Sequence, residues 1–538
     1  MKLSRTAVNN KNFWQSRDIT LPQYSISEMR ESTKQNPRWL HFGAGNIFRA
    51  FIAKLQQDLL NQKIVTEGLI VAESFDFDLI DEIYMPYEQL TLLVTLYPNA
   101  STQKEILSSI ASSYRAHSSF PKDYQALQNI FRQPSLQVIS FTITEKGYAL
   151  EDIAGNILPI LEQDSKKTPD QANHTLSIVT ALLYQRYLAG ELPIALLSLD
   201  NCSHNGDKLE DTILYIAKQW ISAGFVKTDF LAYLTDKSKV SFPWSMIDKI
   251  TPRPAITIYE QLTALGIEGM EPITTNKQTF TAPFVNAEAP QYLVIEDHFP
   301  NGRPPLEQVG VYFTDRQTVD QTEKMKVTTC LNPLHTALAI WGCLLGYTSI
   351  AEEMKDPDLK QFIQRLAHQE ALPVVTNPNI IQPTEFLNEV LETRLPNPFI
   401  PDTPQRIATD TSQKMAIRFG ETIKAYDSIP HLDVNNLTYI PLVIAAWFRY
   451  LLGVDDNGNQ FTPSSDPLLK ELQTNLQSVQ FGEIQSYHGQ LRTFLGNTSL
   501  FGIDLCKTGL DHKIEEMFKH LISQKGAVKH TLRKYLEN

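Results

Sequence analysis

A chain of 538 residues is longer than one ordinary hydrophobic core serves, so two domains of unequal size are expected. Its 42% hydrophobic and 20% charged residues describe a soluble globular protein. A net charge of −12 argues against nucleic acid as the main partner, yet leaves room for a small anion at a locally basic site.

Taken in chain order, the opening MKLSRTAVNNKNFWQ has no apolar run of signal-peptide length. WLHFGAGNIFRAFIAKLQQDLL (39–60) predicts a short strand, a glycine turn and a helix with Ile47, Phe51, Leu55 and Leu59 on one face. Strands are predicted at 68–74, 90–97, 136–148 and 193–201, with helices at 173–189 and 207–222 between them. This alternation means βαβ units and a mostly parallel sheet. The strands that run into TITEKGY and SLDNCSHNG end in polar clusters, which places a site at the carboxyl edge of that sheet. HFPNGRPP (298–305) reads as a linker or turn.

Beyond residue 330 the pattern is helical, over 333–355, 357–370, 384–393, 411–427, 438–453, 466–478, 482–495 and 511–536. YIPLVIAAWFRYLLGV (439–454) is too short to span a bilayer and reads as a buried helix. The fold class expected is an α/β Rossmann-type domain over 1–305, followed by an all-α domain over 306–538. Cys202, Cys330, Cys343 and Cys506 form neither a C-x-x-C pair nor a zinc-ligand spacing with histidine. Reduced thiols, no metal and a cytoplasmic setting follow as expectations.

Gly43-Ala44-Gly45 follows a strand and opens a helix, the context in which helix N-terminal amides meet a pyrophosphate. Phe48 replaces the third glycine of G-x-G-x-x-G, so the motif alone reads equally as a tight strand-to-helix turn. Arg49 is either a cation near phosphate or part of a solvated face. Glu73 ends the next strand, where a carboxylate accepts from a ribose 2′-OH and repels a 2′-phosphate. That favours NAD over NADP, with Asp76 and Asp78 as rivals. Glu145, His204 and Asn205 are further candidates near the cofactor.

HFGAGNIFRAF, TITEKGY, SLDNCSHNGDKL, SFPWSMIDKITP, LVIEDHFPNGRP, KMKVTTCLNPLHTALA and RIATDTSQK occur in this order over about residues 39–415. The set resembles the polyol-specific long-chain dehydrogenases/reductases, the mannitol dehydrogenase family, and most of all its fructuronate reductase branch. The resemblance implies NAD-dependent, zinc-independent interconversion of a secondary alcohol and a ketone on a hexuronate or polyol. The family's catalytic lysine, asparagine and histidine match Lys326, Asn332 and His335. Lys326 lies one residue further from the asparagine than is usual in the family, so Lys324 is its rival. Glu323, three residues before Lys326, matches a position for proton relay. Arg406 and Lys414 match substrate-binding positions, as do Asn201 and Asp248.

The chemistry requires such groups. A base takes the hydroxyl proton as hydride leaves, and a lysine can serve where burial or a nearby cation disfavours its ammonium. Amide and imidazole donors stabilise charge developing on oxygen. Read without the resemblance, Asn332-Pro333 is a helix N-cap followed by proline, and His335 a satisfied core histidine. Arg406 and Lys414 would be exposed cations about a turn. Asn201 and Asp248 would be turn or helix caps. Fructuronate reduction is the reading preferred. Tagaturonate reduction, hexitol dehydrogenation and nucleotide binding without turnover remain open, as do a monomer and a simple homo-oligomer.

Overall fold

The computed structural model describes residues 1–152 and 155–537. Two compact units emerge, one of Met1–Leu96 with Ser101–Asp320, the other of Tyr97–Ala100 with Gln321–Asn538. The first is built on six parallel strands, which we number β1 (Trp39–Phe42), β2 (Leu69–Glu73), β3 (Ile110–Arg115), β4 (Val138–Phe141), β5 (Ile194–Ser198) and β6 (Val240–Ser241). Their order across the sheet is β3-β2-β1-β4-β5-β6, the doubly wound Rossmann arrangement. The order reverses between β1 and β4, the switch point at whose strand carboxyl ends sheets of this kind bind their ligands.

Both faces of this sheet are covered, which explains strands that are apolar at nearly every position. Leu40 and Phe42 pack with Ile139, Phe141 and the helices Thr175–Leu188 and Asn205–Ser222 on one side. Trp39 packs with Val71, Val138, Phe51 and Leu55 on the other. The strand predicted at 90–97 forms as Thr91–Leu96. It belongs to a separate mixed sheet, pairing antiparallel with Thr102–Leu107 and parallel with Phe284–Glu288.

The segment 298–305 is a packed turn within the first unit and not a linker. Asn301 donates to the Pro134 and Leu136 carbonyls, and Arg303 pairs with Asp297 and Glu307. The chain passes from one unit to the other along the helix Arg316–Lys324.

The second unit is helical, with no strand beyond isolated bridges among the described residues. Its central helix, Tyr439–Leu451, is buried at every position. Glu370 accepts from the first amides of that helix, and Arg449 donates to the Leu521, Val454 and Asp455 carbonyls. Several predicted helices are interrupted. The stretch 333–355 stops at Gly346, whose positive φ is the conformation that ends helices, and 511–536 breaks after Leu521 and resumes at Ala527. In 482–495 only the turns Ile484–Ser486 and Arg492–Leu495 are helical. The stretch 411–427 is a succession of a 3-10 turn, a π turn and a short α-helix. Among the described residues no helix is long and apolar enough to cross a membrane.

Two expectations follow. Gly43 has φ +109°, and a Cβ there would lie 2.3 Å from the Thr142 carbonyl oxygen, whereas a Cβ on Gly45 meets nothing within 4 Å. Gly43→Ala should therefore cost about 2–3 kcal/mol in urea unfolding while Gly45→Ala leaves the midpoint unchanged. Equal midpoints would contradict this packing. Glu353 is fully buried, neither carboxyl oxygen has a partner, and burial, reinforced by Asp356, pushes its carboxyl well above its ordinary range. The folded state thus keeps a proton that the unfolded chain sheds. Stability from this group is present at acid pH and drains away as pH rises, by at most about 1.4 kcal/mol per pH unit. Glu353→Gln should remove that slope, and a wild-type-to-variant difference that stays constant between pH 5 and 8 would refute it.

Candidate active site

The glycine turn is held from several sides. Gly43 donates to the Ala72 carbonyl at 3.0 Å, Ala44 donates to Glu73 Oε2 at 2.8 Å, and Tyr84 Oη donates to the Ala44 carbonyl at 2.9 Å. The following helix starts with Arg49 N–H on the Gly45 carbonyl, which leaves the amides just before it without an intrahelical acceptor. Free amides, open space over Gly45 and a helix N-terminus together suit a pyrophosphate. Phe48, in place of the third glycine, is fully buried and stacks on His41 of β1 at 4.3 Å. His41 itself lies between Ser140 and Thr142, and burial pushes it down to about 3, so it is neutral.

Arg49 lies on neither a solvated face nor the open side of the turn. Its guanidinium is buried and donates to the Ala282 carbonyl, Asn46 Oδ1 and Thr281 Oγ1. Glu73 Oε1 accepts from the amides of Ser74, Phe75 and Asp76. Burial raises the Glu73 carboxyl against the pull of these amides and that of Ala44. Oε2 has accepted one bond and keeps capacity for a ribose hydroxyl. The rivals are engaged elsewhere, Asp76 with Thr275 Oγ1 and Asp78 with the Asn276 amide.

Past β4, Thr144 sits at φ +65° and ψ 161°, a conformation natural to glycine. Asp200, which the sequence reading passed over, holds it there. Its carboxylate accepts from the amides of Ile143 and Thr144 and from Tyr148 Oη. Glu145 is exposed and pairs with Lys208 at 2.8 Å. Asn205 is a buried clamp, donating to Ser198, Asp200 and Ser245. His204 stacks on Trp244 at 4.1 Å and lies 3.3 Å from Asp320. Asn201 is exposed just past β5, and Asp248 is buried at the end of the strand Ser245–Asp248.

The helical unit carries the remaining candidates, and it joins His335 to Arg406 through a shared carboxylate. Lys326 is 2% exposed, whereas Lys324 is exposed. Lys326 lies in a π turn, Met325–Cys330, closed by Leu331 N–H on the Lys326 carbonyl at 3.1 Å. A π turn is the local form that one extra helical residue takes, and here it lies between Lys326 and Asn332. The helix Asn332–Leu345 follows at once. Leu331, not Asn332, is the N-cap, and no side chain caps this end. Asn332 is the first helical residue, and its side-chain amide makes no hydrogen bond among the described residues, so the N-cap reading is corrected. His335, three positions on, shares its face.

His335 Nε2 is buried and lies 3.2 Å from Asp402 Oδ2, close but off the direction of a hydrogen bond. Asp402 Oδ1 pairs with Arg406. Burial would raise the Asp402 carboxyl, but His335 and Arg406 outweigh it and hold it below its ordinary value. With Nε2 facing a carboxylate, Nδ1 is the nitrogen left for a ligand. Lys414 Nζ donates to the Ile407 and Thr409 carbonyls, and burial followed by the nearby Arg418 charge lowers its pKa. Asp402 and Arg418 were not found from sequence. The only available signal was their spacing, four residues before Arg406 and four after Lys414.

The family model described as the mannitol dehydrogenase Rossmann domain matches residues 37–308, and that of the mannitol dehydrogenase C-terminal domain matches 318–522. A D-mannonate oxidoreductase of Thermotoga maritima is 51% identical over 534 residues, covering 99% of this chain and 98% of its own. A mannitol 2-dehydrogenase of Emericella nidulans is 28% identical over 522 residues, 93% of each chain. The solved Pseudomonas fluorescens mannitol 2-dehydrogenase, a ternary complex with NAD and D-mannitol, aligns over 100% of both chains at 26% identity with a TM-score of 0.71. With two domain models matched in sequence and a full-length relative at this identity, the chain belongs to the mannitol dehydrogenase family.

Proposed function

We propose that this protein is an NAD-dependent oxidoreductase that interconverts D-fructuronate and D-mannonate, with Lys326 as the acid/base. The observation that carries this reading is the 51% identity, end to end, with a D-mannonate oxidoreductase. The glycine turn and the remaining acceptor on Glu73 fit a dinucleotide, and the similar mannitol 2-dehydrogenase is complexed with NAD. NAD supplies the hydride acceptor. Lys326 takes the hydroxyl proton in oxidation and returns it in reduction. Asn332 and His335, through its Nδ1, bind the reacting oxygen, and Asp402 positions the imidazole. Glu323, on the same continuous helical stretch as Lys326, relays the proton to water.

Arg406, Lys414, Asn201 and Asp248 bind the sugar chain, and Glu145 borders the cofactor. Gly43, Gly45 and the backbone of Phe48 and Arg49 form the phosphate turn. The protein works as a cytoplasmic monomer or simple homo-oligomer, and the net charge of −12 supports the absence of nucleic-acid contacts. Hexitol dehydrogenation is the second reading, favoured by the D-mannitol in the solved relative.

Lys326→Ala tests the assignment. It should lower turnover about 10³-fold or more while NADH affinity, read by nucleotide fluorescence, stays within about twofold. Normal turnover in this variant would transfer the role to Lys324.

A further inference from the structure

The π turn Ala416–Gly420 packs against both the π turn that carries Lys326 and the helix that carries Asn332 and His335. Arg418 lies in it. Its Nη1 donates to Thr336 Oγ1, and Thr336 follows His335 directly. No other hydrogen bond joins this guanidinium to the protein, and no carboxylate pairs with it among the described residues. Two other arginines of the chain, fully buried, are bonded far more completely. Arg186 donates to five backbone carbonyls, and Arg449 to three.

A half-buried cation with one neutral partner is costly to hold. Burial alone, with no acidic neighbour opposing it, pulls the Arg418 guanidinium down to about 10. Lys414 stands one helical turn before it and adds a second positive charge. Of the acids on this stretch, Glu421 pairs with Lys424 and Asp410 acts on Lys414, and those contributed by other stretches are committed as well. Asp402 faces His335 and Arg406, and Asp466 accepts from the Ser412 amide and hydroxyl. The arrangement therefore lacks an anion. A planar carboxylate satisfies the remaining fork of N–H groups in pairs, which a sugar hydroxyl cannot.

We propose that Arg418 binds the carboxylate of the sugar-acid substrate and is the residue that separates sugar acids from neutral polyols at this site. The inference rests on the oxidoreductase reading above and names the group that sets its substrate class. Binding at a carboxylate distant from the reacting carbon contributes equally to ground and transition states, so its loss should appear in KM.

The test uses the full chain with NAD and D-mannonate, in Arg418→Gln and Arg418→Lys. Arg418→Gln should raise KM for D-mannonate about 10²-fold, with kcat within about threefold and NADH affinity unchanged. Arg418→Lys keeps the charge but loses the fork, and should raise KM about tenfold. If Arg418→Gln does not fold, the lysine variant decides alone. An unchanged KM overturns the proposal. A fall in kcat together with weaker NADH binding assigns Arg418 a structural role and also overturns it. Wild-type protein that turns over no sugar acid removes the oxidoreductase reading instead, and Arg418 falls with it.

Discussion

The amide of Leu331 reaches back five residues to the carbonyl of Lys326, and that bond closes the turn from which Lys326 and the helix of Asn332 and His335 are set out. An ordinary helix would carry one residue fewer between the lysine and Asn332. Widening the turn keeps Lys326 buried while the next helix starts directly at Asn332. The same start leaves Leu331 at the capping position, where it has no side-chain oxygen to offer, and so frees the Asn332 amide from a capping duty. Pro333 suits a first helical turn, where its missing N–H has no intrahelical acceptor. The wider turn and the proline are thus both accommodated by the backbone.

Around this turn, charge is arranged with economy. One carboxylate, Asp402, stands between His335 and Arg406 and is held ionised by both. Lys414 satisfies two donors on backbone carbonyls and thereby pins the loop after Arg406. Arg418 alone in this group has only a hydroxyl to bond. In the Rossmann unit the logic is reversed. There a carboxylate, Glu73, gathers amides from the glycine turn and from its own strand end, and fixes the place where a dinucleotide is expected.

Much of this was legible in the sequence because the signals were local. Short apolar runs ending in polar clusters marked β1, β2, β4 and β5, and the glycine turn sat where strand met helix. Their order across the sheet follows from handed crossovers more than from any residue. The residues that escaped sequence reading act at a distance in the chain. Asp200 clamps Thr144, and Asp402 meets His335, through contacts that no spacing encodes. Arg49 looked like a phosphate ligand or a surface cation, since nothing local shows that Thr281 and Ala282 close over it. The helix periodicity beyond residue 480 misled where glycines at positive φ cut the helices into turns.

The central claim is that this family member acts on a hexuronate with NADH. It is tested most directly by following NADH oxidation with purified protein on D-fructuronate, D-tagaturonate and D-fructose, with NADPH in parallel. The account predicts rapid oxidation of NADH with D-fructuronate and little with the other two or with NADPH. Preference for D-fructose, or silence on all three while NADH still binds, would contradict it.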